Sequence, residues 1–167
     1  MKRVSLAVVA GLFAVSMFAA PRSAEALNIV EVALQVNADT GEFSTLIAAL
    51  QATGLVPIVA NLPAITVFAP TDAAFAALGI TPQNVRLLPR NVLQKVLLYH
   101  VTLGSRDAAS VTSSRFLLMA AFEFARVRVT DAGAFVNNSQ IIAVDVAASN
   151  GIIHVIDNVL VPPSLIR

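Results

Sequence analysis

Apolar residues fall at Ile29, Val32, Ala33 and Val36, and again at Phe43, Leu46, Ile47 and Leu50, just before Gly54. That i, i+3, i+4, i+7 spacing puts each set on one side of an α-helix, so the pattern predicts two amphipathic helices, the second ended by the glycine. Val92, Val96 and Tyr99 form a third stripe over Asn91 to Tyr99, and Thr81-Pro82 reads as an N-cap followed by proline at the first helical position. The run Ile65 to Ala69 is apolar throughout, a buried strand that Pro70 ends because proline offers no ladder donor. A helix is expected directly after it, with Thr71 as cap, Asp72 against the positive end of the dipole, and Phe75 and Leu78 turned inward.

From Phe116 onward the texture changes to β-branched and aromatic runs, with Phe122 and Phe124, then Val127 and Val129 alternating with Arg126 and Arg128. Turn signals divide these strands at Asp131-Ala132-Gly133, Asn137-Asn138 and Asn150-Gly151. The last is a strong hairpin dipeptide because both residue types accept positive φ, so Ile141 to Val146 and Gly151 to Val161 should pair antiparallel. Helices first and strands second, with no internal repeat or linker, give one α+β domain.

The first 26 residues have the three parts of a secretory leader: Lys2-Arg3, an apolar run from Val4 to Ala20, and the small-residue site Ala24-Glu25-Ala26. The apolar run ends at Pro21-Arg22, short of the roughly 20 residues a spanning helix needs. Cleavage after Ala26 would leave residues 27–167 as a single domain, secreted to the periplasm or outside the cell, with no stable membrane insertion. Of 11 basic and 10 acidic residues, 8 and 9 lie beyond the leader, so the net charge of +1 becomes −1. The basic residues are scattered, apart from Arg126 and Arg128 on one strand, and nothing could track a phosphate backbone, which argues against nucleic acid as a partner. The absence of cysteine removes disulfides and lipid attachment through a thiol. The leader, the lack of cysteine and the single-domain size point to a bacterial source.

Reaction chemistry finds little support in the residues. There is no G-x-S-x-G elbow, no cysteine nucleophile and no glycine-rich phosphate loop. The two histidines, His100 and His154, belong to no metal-ligand pattern, and no cofactor or metal is expected. Tyr99-His100 closes a helix, where the imidazole can satisfy late carbonyls and the tyrosine hydroxyl needs a partner. Strand alternation puts Ile152, His154 and Ile156 on one face, and Ile153, Val155 and Asp157 on the other. Thr71, Asp72, His154 and Asp157 are read as architecture, and no catalytic residue is assigned. Asn137-Asn138-Ser139 has the form of a glycosylation sequon but is read as a turn.

Four separated segments carry a resemblance: NIVEVALQV at Asn28 to Val36, TVFAPTDAAF at Thr66 to Phe75, Tyr99-His100, and NGIIHVIDNVLVPP at Asn150 to Pro163. In order and spacing they resemble the fasciclin-like domain family. The resemblance implies two β-sheets packed with a group of helices along one side. It also implies a secreted, non-enzymatic adhesion or interaction module that binds a cell-surface, extracellular-matrix or envelope partner. In animal relatives the Tyr-His pair with branched apolar neighbours is tied to integrin recognition, so the resemblance makes Tyr99 and His100 a candidate contact site, with Leu97, Leu98, Val101 and Leu103 around it. Two other readings stand beside this one: an envelope carrier of a small ligand or lipid, suggested by the apolar surplus from Phe116 to Phe124, and a hydrolase using one of the histidines.

Overall fold

The computed structural model describes residues 26–166; the expected leader falls outside them but for Ala26. The first helix, α1 (Ile29–Thr40), starts at a reciprocal cap. Asn28 Oδ1 accepts from the Val30 and Glu31 amides at 3.0 Å each, and Glu31 Oε2 accepts from the Asn28 amide at 2.8 Å. The second, α2 (Ser44–Thr53), ends at Gly54 in the left-handed region (φ 75°), as its sequence pattern requires. A short third helix, α3 (Val56–Asn61), carries Pro57 in its first turn, where a missing amide costs nothing.

Strand β1 (Ile65–Pro70) is buried along its whole length and leads into α4 (Asp72–Ala76), capped by Thr71, whose hydroxyl accepts from the Ala74 amide at 3.3 Å. Phe75 points inward, but Leu78 does not: α4 has ended, Gly79 turns the chain at φ 75°, and Leu78 stays exposed. The helix expected at Thr81-Pro82 is likewise absent. Thr81 and Asn84 bond reciprocally, only a 3-10 turn follows at Val85–Leu87, and Leu88 is extended because proline follows it. Helix α5 (Arg90–Leu98) buries Leu93 and Leu97, leaving Val92 and Val96 half-exposed, so its inward face is turned by one residue from the expected stripe.

The remaining elements are β2 (Val101–Leu103), α6 (Ala108–Ser113), β3 (Phe116–Leu118), β4 (Phe124–Thr130), β5 (Gly133–Val136), β6 (Ser139–Ala148) and β7 (Gly151–Ile156). They join in the order β2-β1-β7-β6-β5-β4-β3, with β1 and β7 parallel and every other pair antiparallel. The expected two sheets are thus one continuous ladder. Two irregularities in β6 bend it, and a bridge between Thr102 and Met119 brings its first and last strands together, curling it toward a barrel.

The curl creates two cores. Helices α1, α2 and α5 pack Ile29, Leu46, Leu50, Leu93 and Leu97 on the outer side against Ile65, Val67, Ile153 and Val155. Inside the curl lie Phe68, Leu117, Met119, Ala125, Val127, Val136 and Ile156. Central β7 therefore feeds one core with Ile153 and Val155 and the other with Ile156, which explains why its run is apolar on both faces. Its antiparallel partner across the Asn150-Gly151 turn is β6, as the sequence suggested, though neither turn residue takes positive φ. Gly151 is required instead by close approach, because a Cβ there would run into the Ile65 carbonyl oxygen. Asn150 is a rivet: its Oδ1 accepts from the Ile29 amide, and its Nδ2 donates to the Val59 and Leu62 carbonyls, each at 2.9 Å.

Candidate interaction surface

Tyr99 and His100 close α5 and turn inward, with exposures of 0% and 1%. The Tyr99 hydroxyl donates to the Phe124 carbonyl at 2.8 Å and accepts from Asn137 Nδ2 at 3.0 Å. Burial raises its pKa. His100 Nε2 accepts from the Leu160 amide at 2.9 Å, so the proton sits on Nδ1, which donates to the Val96 carbonyl at 2.7 Å. Burial pushes its pKa down to about 4. In this conformation neither side chain offers surface to a partner, so the pair expected as a contact site lies beneath the surface.

His154 is equally enclosed and stacks on Phe68 with ring centroids 5.6 Å apart. Its Nδ1 accepts from the Asp145 amide at 3.2 Å, which leaves Nε2 to donate to the Arg106 carbonyl at 2.8 Å. Burial lowers its pKa as well. With both ring nitrogens of each histidine held by backbone, neither has a lone pair free to take a substrate proton. Asp72 Oδ1 accepts from the Thr45 amide at 2.7 Å, capping α2 as well as opening α4. Asp157 Oδ1 accepts from the Gln140 amide at 2.8 Å and fixes the register of β6. Asn137, the sequon residue, spends its amide nitrogen on Tyr99. Among the described residues no group of three or more His, Cys, Asp or Glu gathers as metal ligands would.

Two shallow cavities, of about 50 and 30 Å³, flank α1. A small-molecule site typically needs roughly 300 Å³ or more, so neither suits the carrier reading. The apolar surplus that suggested a carrier sits elsewhere. Leu117, Ala125 and Val127 point into the curl, so alternation turns Phe116, Leu118, Phe124, Arg126 and Arg128 outward. Leu118 lies directly opposite Phe124 and Phe116 opposite Arg126, while the Thr102–Met119 bridge sets Leu103 beside Leu118. No residue of β3, β4 or β5 belongs to the core under the helices, and among the described residues Phe116, Leu118, Phe124, Arg126 and Arg128 stay exposed on this stretch of the outer face.

At its edge is the β3–β4 loop. The Phe122 amide donates to the Met119 carbonyl at 2.9 Å and the Met119 amide to the Glu123 carbonyl at 3.0 Å, enclosing Ala120, Ala121 and Phe122. In such a three-residue hairpin loop the last position takes the left-handed region and glycine is favoured. Here it is phenylalanine, at φ 61° and 86% exposed. Glu123 beside it accepts from Ser164 and pairs with Lys95 at 3.2 Å; the Ser164 bond, with Lys95, holds its carboxyl below the usual range. The strand part of this surface was legible in the parity of Phe124, Arg126 and Arg128, which share one face of β4, whereas the left-handed loop position of Phe122 was not.

The model of the fasciclin domain matches residues 41–162. The chain belongs to the fasciclin domain family. Among fasciclin relatives, protein sll1483 of Synechocystis sp. is 45% identical over 140 residues, covering 83% of this chain and 75% of that protein. Immunogenic protein MPB70 of Mycobacterium bovis is 33% identical over 150 residues, covering 86% and 75% respectively. Transforming growth factor-beta-induced protein ig-h3 of Sus scrofa is 32% identical over 124 residues, 73% of this chain but 18% of that one. A FAS1 domain pair from the insect cell adhesion molecule fasciclin I superposes with a TM-score of 0.55 at 20% identity, over 72% of this chain and 46% of that chain, and shows the shared α+β fold. No described helix of this fasciclin domain is long and apolar enough to cross a membrane.

Proposed function

We propose that this fasciclin domain is a secreted, non-enzymatic interaction module that meets a protein or cell-surface partner through the outer face of β3 and β4. Phe122 carries the reading. A non-glycine residue in the left-handed region costs on the order of 1 kcal/mol, and an aromatic ring in water contributes nothing to the fold in return. Strain without a folding benefit is expected where a side chain is kept for contact. Tyr99 serves that contact from below, since its hydroxyl holds the Phe124 carbonyl and so fixes the strand beside the ring, while His100 ties the end of α5 to Leu160.

A photoreactive phenylalanine analogue at position 122, introduced in the cells that make the protein, should trap a partner. The same analogue at position 87, where Leu87 is also highly exposed but belongs to the turn before α5, should not. Equal trapping at both positions, or none at 122, would remove the assignment. Phe122→Gly should leave stability equal or about 1 kcal/mol higher, since glycine tolerates that φ, while abolishing the interaction.

A further inference from the structure

We propose that the partner of this face is an anionic lipid bilayer, on which the domain docks without spanning it; this rests on the interaction reading above and names its occupant. Shape comes first. Phe122 projects from a hairpin tip, with Phe116, Leu118, Phe124 and Leu103 exposed behind it, so the apolar surface stands out as a knob. A protein receptor would have to supply a matching recess, whereas the headgroup and acyl boundary of a membrane deforms around apolar rings.

Charge is the second argument. Arg126 and Arg128 stand on the same outer face as Phe124, Arg115 opens β3, and Arg128 lies over the Phe135 ring at 5.8 Å. Among the described residues none of the three arginines makes an ion pair. The carboxylate nearest the tip, Glu123, is already matched by Lys95 and held by Ser164. The chain beyond residue 26 has a near-neutral balance, so the attraction is local: arginines without a carboxylate partner along the strand behind an apolar tip, Arg128 also donating to the Asn137 carbonyl at 3.0 Å, complement phosphate headgroups over hydrocarbon. Aromatic insertion plus juxtaposed cations is the combination that holds a peripheral protein on an acidic surface.

The test uses the protein purified from the cells that make it, with its N-terminus determined, floated with vesicles of equal parts phosphatidylglycerol and phosphatidylcholine or of phosphatidylcholine alone. Flotation is expected with the anionic vesicles, about tenfold or more above the neutral ones, and is lost in about 1 M salt, where screening acts within roughly 3 Å. Phe122→Gly should weaken it about tenfold without lowering the melting temperature, and Arg126→Ser and Arg128→Ser about fivefold each, with circular dichroism confirming that each variant is folded. Equal flotation on neutral vesicles, indifference to these substitutions, or no flotation overturns the lipid assignment. If vesicles are ignored while position 122 traps a protein in cells, the lipid assignment falls and the interaction reading stands; if neither occurs, both fall.

Discussion

Acidification from about pH 7 to about pH 4 should press a proton onto His100, and the structure sets the cost. In the folded chain Nε2 faces the Leu160 amide and Nδ1 already donates to Val96, so an added proton would meet a donor and leave a buried charge without an acceptor. The folded pKa of about 4 lies below the ordinary value of 6.5. A histidine depressed in this way binds its proton more tightly when unfolded. Its contribution to stability is therefore complete above about pH 6.5, declines as pH falls, and is exhausted near pH 4. Roughly 2.5 units at 1.36 kcal/mol each make a loss of about 3 kcal/mol. His154 is shifted in the same direction and adds to the decline. The lowered carboxyls of Asp107 and Glu123 act in the same sense, but around and below the ordinary carboxylate range. Urea unfolding followed by circular dichroism across this window should show the decline, and His100→Gln should flatten its slope. Because the chain has 2 histidines, proton NMR can follow each imidazole separately. A His100 resonance titrating near pH 6.5 in the folded protein, or a stability flat across the window, would refute the reasoning.

Other substitutions test the joints of the fold. Thr71→Ala should lower stability by about 1 kcal/mol in urea unfolding through the lost cap of α4, and Asp72→Ala by about 2 kcal/mol because it removes the charge at the start of α4 and the acceptor of the Thr45 amide of α2; an Asp72→Ala variant as stable as the parent would show that the α2 cap contributes nothing. Gly151→Ala should cost on the order of 3 kcal/mol, since backbone must give way at Ile65, and a melt unchanged from the parent would remove the close approach as the reason for glycine. Tyr99→Phe should cost about 1 to 2 kcal/mol by stranding the Phe124 carbonyl and Asn137, with weaker trapping from position 122; full retention of both would show the hydroxyl does not support the exposed face.

Local signals carried far in this chain. Gly54 stops α2 because a left-handed residue follows the helix, and Thr71 caps α4 because its hydroxyl reaches three residues along; both effects lie within one turn of chain. Distant partners explain the misses. Leu88 gives way to Pro89 before the Thr81 turn becomes a helix, and the inward face of α5 is chosen by α2 and the sheet, which select Leu93 and Leu97 over Val92 and Val96. Asn150-Gly151 was recognised as a turn for a local reason, but what it satisfies is remote: Ile29, Val59, Leu62 and Ile65. Tyr99 and His100 look the same in sequence whether they face water or core, because their partners, Phe124, Asn137 and Leu160, come from strands and loops far along the chain. The exposure of Phe116 and Phe124 depends in turn on where the helices stop covering the sheet.

The grip of Asn150 on Ile29, a contact across 121 positions, has a consequence for the order in which the molecule can assemble. A chain emerging amino end first can set α1 against α2 and α3, but the partners that fix its start in the sheet are missing until the final hairpin appears. The parallel seam between β1 and β7 waits for the same event, so the central strand arrives last and the barrel cannot close early. Removing the last hairpin should therefore release the first helix along with it, making the two ends of this protein a single cooperative unit.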